Sequence, residues 1–185
     1  MKRVAVFGNA GGGKSTLAKR LANFTRLPLY AIDSIKYRTG GGEVPRDEYL
    51  KAHGDIVRQD EWIIDGFGCM ASAWERFSYA DTLVYIDLPL RTHYWWVTKR
   101  LIKGIFRNPE GWAENSPMWR STLSSYQVIP LCHERLTPKY RRLVAEEAAS
   151  KRVHHLRSRD EMRAFLQAVQ TQFAAMPPRA DSPPH

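Results

Sequence analysis

Eight residues near the start of the chain, Gly8-Asn9-Ala10-Gly11-Gly12-Gly13-Lys14-Ser15, place a glycine, four residues, then Gly-Lys-Ser in a row. That is the spacing of a loop that cradles phosphate groups. Glycines let successive backbone N–H groups converge on phosphate oxygens, a geometry that a Cβ would obstruct. Lys14 can reach the β- and γ-phosphates of a nucleotide as a point charge, and the Ser15 hydroxyl can ligate Mg²⁺. Residues 8–15, with Thr16 behind them, are therefore the expected triphosphate contacts. The flanks support this chemistry. Residues 3–7, Arg-Val-Ala-Val-Phe, read as a strand, and residues 16–21 follow with helical spacing. The start of such a helix adds unpaired N–H donors and the positive end of its dipole.

Phosphoryl transfer also needs carboxylates and cations around that loop. Asp65 ends the apolar run Trp62-Ile63-Ile64 and is the expected Mg²⁺ partner of Ser15; a capping carboxylate is the plainer reading. Asp33 closes the run 28–32. It can serve as a base for an acceptor hydroxyl, help hold the metal, or cap a helix. Asp87 is read as structural. Arg38 and Arg76 are candidates for the acceptor side. Lys99, Arg100 and Lys103 sit on a strong helical pattern that leads into a segment rich in breakers, with Arg107 and Arg120 beyond; closed over phosphates, these cations would neutralise charge and exclude water. Trp95, Trp96, Trp112 and Trp119 make the same region aromatic, suited to stacking on a base or to packing a hinge. His154 and His155 alternate on a strand, face opposite sides, and read as packing residues.

The elements that must position these groups alternate along the chain. Strands are expected at 3–7, 28–33, 61–65, 82–87 and 151–156. Helices are expected from 16, over 46–59, 71–78 and 91–106, through 121–149 with interruptions near Pro130 and Pro138, and from a cap at Ser158 or Asp160 to about 173. Residues 34–46 read as loop. Residues 107–119 hold Asn108-Pro109, Gly111 and Ser116-Pro117 and read as an irregular or partly helical lid. Strands alternating with helices imply an α/β domain with a doubly wound parallel sheet and ligands at the C-terminal strand ends. One domain over 1–175 and a disordered tail at 176–185 are expected, the tail because its prolines and polar residues have nothing to pack.

The 185 residues include 28 Lys and Arg against 19 Asp and Glu, for a formal charge of +9. A cationic cleft for two phosphorylated ligands accounts for that excess as well as a nucleic-acid surface does. No helix-turn-helix, zinc-finger or aromatic RNA-binding pattern accompanies the charge. No apolar run approaches a membrane span, and Cys69 and Cys132 form no metal-spaced or redox pair. A cytoplasmic location is the expectation.

Taken together, these residues resemble the adenylate-kinase-related P-loop group known as topology modulation proteins. The resemblance rests on Gly8 to Ser15, the run ending at Asp33, Trp62-Ile63-Ile64-Asp65-Gly66, Arg76, Ala80-Asp81-Thr82, Ile86-Asp87-Leu88-Pro89 and Lys99-Arg100. It covers about residues 2–168. It implies a three-layer α/β/α P-loop fold with a five-stranded parallel sheet of nucleoside-monophosphate-kinase order, 2-3-1-4-5, and a small helical lid at about 107–120. ATP as donor and Mg²⁺ as cofactor are implied too, with Arg100 as a catalytic cation and the acceptor between the segments after Asp33 and Asp65. Two positions depart from relatives. Adenylate kinases continue the Asp-Gly of the third strand as Phe-Pro-Arg, whereas this chain has Phe67-Gly68-Cys69, without the arginine that holds AMP. Relatives also tend to carry arginine four positions before Arg100, where this chain has Trp96.

The expected activity is therefore transfer of the γ-phosphoryl group of ATP to a small acceptor, with Lys14, Asp33 and Arg100 in catalytic roles. A hydroxyl acceptor is favoured over AMP. The rival is an ATP-dependent regulatory protein that hydrolyses ATP slowly and meets nucleic acid through its basic surface.

Overall fold

Residues 4–7, 62–64 and 83–86 are apolar without interruption, a pattern that suits strands covered on both faces. All of them are buried. The computed structural model describes residues 1–38, 42–106 and 118–175, without the side chains of 100, 103–106 and 118–124. In chain order the elements are β1 (Arg3–Gly8), α1 (Lys14–Thr25), β2 (Leu29–Ala31), α2 (Ile32–Lys36), α3 (Arg46–Val57), β3 (Trp62–Asp65), α4 (Met70–Tyr79), β4 (Thr82–Ile86), α5 (Leu90–Phe106), α6 (Met118–Arg135), α7 (Thr137–Glu147), β5 (Arg152–Leu156) and α8 (Arg159–Ala174). The strands form one five-stranded sheet in the order β2-β3-β1-β4-β5, and every pairing is parallel. Parallel neighbours need crossover connections, which the helices supply.

Strand alternation sorts the core into two layers. Val4 and Val6 of β1, Ile63 of β3, and Val84 and Ile86 of β4 face Leu17 and Leu21 of α1 and Phe165 and Leu166 of α8. Ala5, Phe7, Trp62, Ile64, Leu83 and Tyr85 face the other way, toward Tyr49 of α3, Phe77 of α4 and Tyr140 of α7. Each fully buried aliphatic side chain contributes about 1.5–3 kcal/mol. On the second face Phe7 stacks on Tyr85 at 5.2 Å and meets Phe77 at 4.5 Å. The result is the three-layer α/β/α arrangement, with the phosphate loop and Asp65 at the same, C-terminal edge of the sheet. Among the described residues no helix is long and apolar enough to cross a membrane.

Two local expectations are corrected. The second strand stops at Ala31 rather than reaching Asp33, because Ile32, 1% exposed, turns into the core and opens the short helix α2. Asp33 occupies the first turn of that helix, where a carboxylate is favoured by the helix dipole. Residues 34–36, expected as loop, are thus helix as well. The interruption near Pro130 is also absent: α6 runs through it to Arg135. Tertiary contacts hold that helix across the proline. The Asn9 side-chain amide donates to the Ile129 carbonyl at 2.9 Å, and the Tyr126 ring stacks on Tyr94 of α5 at 5.8 Å. The break falls at Leu136 instead, and Pro138 sits in the first turn of α7, where its missing N–H costs nothing. The tail at 176–185 and residues 107–117 of the expected lid lie outside the described residues.

Candidate active site

The phosphate loop begins where β1 ends. Gly8 closes that strand, and its register partner is Ile86 on β4. Gly13 adopts φ 77°, a left-handed conformation costly to any residue with a Cβ, and hands the chain directly to α1. No side chain caps α1, and its first turn contains no acidic residue. The opening N–H groups of a helix have no intrahelical acceptor, so Lys14, Ser15 and Thr16 present donors and a positive dipole end together. Lys14 is half-buried, and its ammonium donates to the Asn9 carbonyl at 2.9 Å, drawing the lysine back across the loop. The Asn9 side chain meanwhile accepts from the Ala10 N–H at 2.7 Å.

One face of α5 supports this loop. His93, Trp96 and Val97 are three and four residues apart, so they share a face. A Cβ on Gly13 would stand 2.7 Å from the Trp96 ring, one on Gly12 would be 3.1 Å from His93, and one on Gly11 would be 2.5 Å from Val97. The loop glycines therefore serve two purposes: they free amides on one side and admit α5 on the other. Trp96 is half-buried, and the Arg159 guanidinium at the start of α8 lies over its ring at 4.9 Å. Gly13, Thr16, Arg20, Trp96, Arg159 and Leu166 line a cleft of about 540 Å³ that opens beside the loop. Its size and mixture of aromatic and cationic walls suit a flat heterocycle.

On the other side of β1, the register sets Asp65 of β3 opposite Val6. Alternation puts Asp65 on the face of Ile63, the face that α1 covers. Asp65 is 5% exposed, and its Oδ1 has no partner among the described residues. Leaving a buried carboxylate oxygen unpaired is costly. A hard cation completed by the Ser15 hydroxyl and phosphate oxygens fits that orphaned atom, since Mg²⁺ is held by few protein ligands. Among the described residues no group of three or more His, Cys, Asp or Glu gathers elsewhere to hold a metal.

The acceptor candidates are dispersed. Asp33 is exposed on α2. Arg38 is exposed as well and pairs with Glu48 at 3.2 Å. Arg76 of α4 is fully buried: one terminal nitrogen donates to the Gly66 carbonyl at 2.8 Å, while Nε and Nη1 have no partner among the described residues. Burial pulls its pKa down to about 10, and the nearby phenols of Tyr49 and Tyr140 and the Asp65 carboxylate oppose that shift. Arg76 thus lies beneath the turn after β3 instead of reaching into open solvent. Behind it, His53 is wholly buried on α3 and held below its ordinary pKa, by burial first and by Arg76 second.

Of the lid cations, Lys99 is exposed on α5. The Arg100 and Arg120 side chains and all of Arg107 lie outside the described residues. Asp87, read as structural, accepts from Arg141 and meets His155 Nε2, each at 2.8 Å. Residue spacing gave no hint of Arg159 or His93 at this site, because each is a lone residue brought to it from another part of the sheet edge.

No protein-family model matches the chain, and no curated protein sequence matches it. Solved structures that share its fold include two shikimate kinases. The shikimate kinase of Acinetobacter baumannii in complex with shikimate superposes with a TM-score of 0.59 at 13% identity, covering 95% of this chain and 94% of that one. The shikimate kinase of Bacteroides thetaiotaomicron gives 0.51 at 14% identity over 94% and 98%. At such identities the likeness establishes the shared three-layer α/β fold alone.

Proposed function

We propose that this chain is an ATP-dependent phosphotransferase acting on a small hydroxyl-bearing acceptor, and that it belongs with the adenylate-kinase-related topology modulation group. The observation that carries this reading is the uncapped start of α1 on the sheet face that also carries Asp65, whose buried Oδ1 lacks a partner among the described residues. The loop amides of residues 8–16 and Lys14 hold the triphosphate, and the base enters the cleft against Trp96 and Arg159. Ser15 and Asp65 hold Mg²⁺, which when bound supplies charge neutralisation to the β- and γ-phosphates. In the transfer, a bond forms between the acceptor oxygen and the γ-phosphorus while the bond from that phosphorus to the β–γ bridging oxygen breaks. ADP leaves with the electron pair, and the acceptor proton passes to Asp33 as general base. Arg100, with Lys99, Arg107 and Arg120 around the lid, neutralises the transferring group.

The acceptor lies between α2 and the turn after β3, with Arg38 at its rim and Arg76 beneath it. A hydroxyl acceptor is supported by the exposed carboxylate of Asp33 and by the Gly68-Cys69 pair that replaces the arginine of adenylate kinases. The decisive experiment incubates the protein with γ-labelled ATP, Mg²⁺ and panels of nucleosides, nucleotides and sugar alcohols. Label is expected in a hydroxyl-bearing compound. Label recovered only as free phosphate with every acceptor would favour a slow regulatory ATPase and overturn the kinase reading.

A further inference from the structure

His93 is 1% exposed, and both of its ring nitrogens face carbonyl oxygens. Nδ1 lies 2.8 Å from the Ala10 oxygen in the phosphate loop, and Nε2 lies 3.1 Å from the Leu88 oxygen at the turn between β4 and α5. A carbonyl oxygen only accepts. A neutral imidazole carries one N–H, so it satisfies one of these contacts and sets a nitrogen lone pair against the other oxygen. The imidazolium donates to both. The local geometry thus demands a cation, while its surroundings resist one. Burial pushes His93 below its ordinary pKa, the two carbonyls push it up, and the cationic Lys14 of the loop and the titratable His133 of α6 push it down again. Of these influences, the Lys14 charge is the one that a bound nucleotide would compensate.

We propose that His93 is a proton-linked positioning residue of the phosphate loop: its doubly protonated ring ties the Ala10 carbonyl to the Leu88 carbonyl, and Mg·ATP binding draws in the second proton. The inference rests on the triphosphate reading of residues 8–16. Holding the Ala10 carbonyl outward fixes the peptide plane whose neighbour amides face the phosphates. Anionic phosphates beside Lys14 offset the charge that disfavours the imidazolium, so binding and protonation favour each other reciprocally. Because His93 lies on the α5 face that also carries Trp96 and Val97, the same proton stiffens the seat of the loop.

The test measures Mg·ATP binding by calorimetry without acceptor, between pH 6 and 8, in buffers of different ionisation enthalpy. Wild-type protein should take up a substantial fraction of a proton near pH 6.5, and its affinity should rise as pH falls, by at most about tenfold per pH unit. His93→Asn keeps a donor where Nδ1 stands; it should still bind, but with less proton uptake and a flatter pH profile. His93→Gln moves the donor toward Leu88, frees the Ala10 carbonyl, and should bind more weakly than His93→Asn at every pH. Equal proton uptake in wild type and His93→Asn would overturn the proposal, assigning the proton to His133 or to the nucleotide. Equal affinity of the Asn and Gln variants would overturn the positioning role. Absence of Mg·ATP binding at any pH would instead sink the triphosphate reading, and this inference with it.

Discussion

The two sides of β1 would hold ligands by different means. Toward α5 and α8, the phosphate loop offers backbone amides, a helix N-terminus and one ammonium, all supplied by a short continuous stretch. Toward β3, the turn after that strand is underlain by side chains from separate elements: Asp65 on the face that α1 covers, and Arg76 with the buried His53 behind it on the face of α3 and α4. The first arrangement tolerates an empty site, because water or Asn9 can satisfy its dipoles. The second carries buried atoms without partners, Asp65 Oδ1 and two nitrogens of Arg76, among the described residues. Buried charge left unpaired is expensive, so it marks where a ligand or metal would recover the most free energy. On the proposed reading, the donor side rests on backbone geometry and the acceptor side on individual side chains.

That contrast can be broken most sharply at Lys14. Lys14→Ala should weaken Mg·ATP binding by about 100-fold or more, given the strength of charge-assisted contacts to phosphate, with the far-ultraviolet circular dichroism unchanged. Retained affinity in titration calorimetry would remove the donor side from the comparison altogether. Next comes Asp65→Asn, which keeps the shape but not the charge. Its Mg²⁺-dependent gain in nucleotide affinity should fall on the order of 10–100-fold, while metal-free ATP binds as before. A loss equal with and without metal would mean that Asp65 serves only Arg76.

Arg76→Met separates the sides. It should abolish transfer to the acceptor and leave Mg·ATP affinity little changed. Because two nitrogens of the buried Arg76 guanidinium have no partner among the described residues, removing that costly unpaired charge should let the melting temperature hold or rise. A fall in ATP affinity would show the two sides to be one coupled unit. The smallest effect is on stability alone. His53, His93 and His154 are all held below the ordinary imidazole value, chiefly by burial. The unfolded chain therefore binds protons that the native protein refuses, and stability should decline as pH falls through about 6.5, by at most about 1.4 kcal/mol per pH unit for each histidine. Urea midpoints that stay level from pH 8 to 5.5 would contradict this.

Much of the donor side is legible from residue order. A strand, a glycine-rich turn, Lys-Ser and a helix are contiguous, so each local preference reinforces the next. The sheet follows similarly, since apolar runs buried on both faces alternate with helical patterns. Asp33 misled as a strand end because the three-residue edge strand β2 contributes few pairings, and the burial of Ile32 pulls the chain into α2. Pro130 misled because its local cost inside a helix is met by contacts from Asn9 and Tyr94, residues far away in the chain.

By itself, then, the sequence determined the phosphate loop and the alternating α/β order, because both depend on neighbours a few residues apart. Tertiary structure alone decided that Arg76 is buried beneath the turn after β3, that Arg159 lies on Trp96, and that His93 bridges Ala10 and Leu88. These approaches span parallel crossovers, and whether a lone arginine or histidine meets solvent, a ring or a carbonyl is set only once the sheet has brought its edges together.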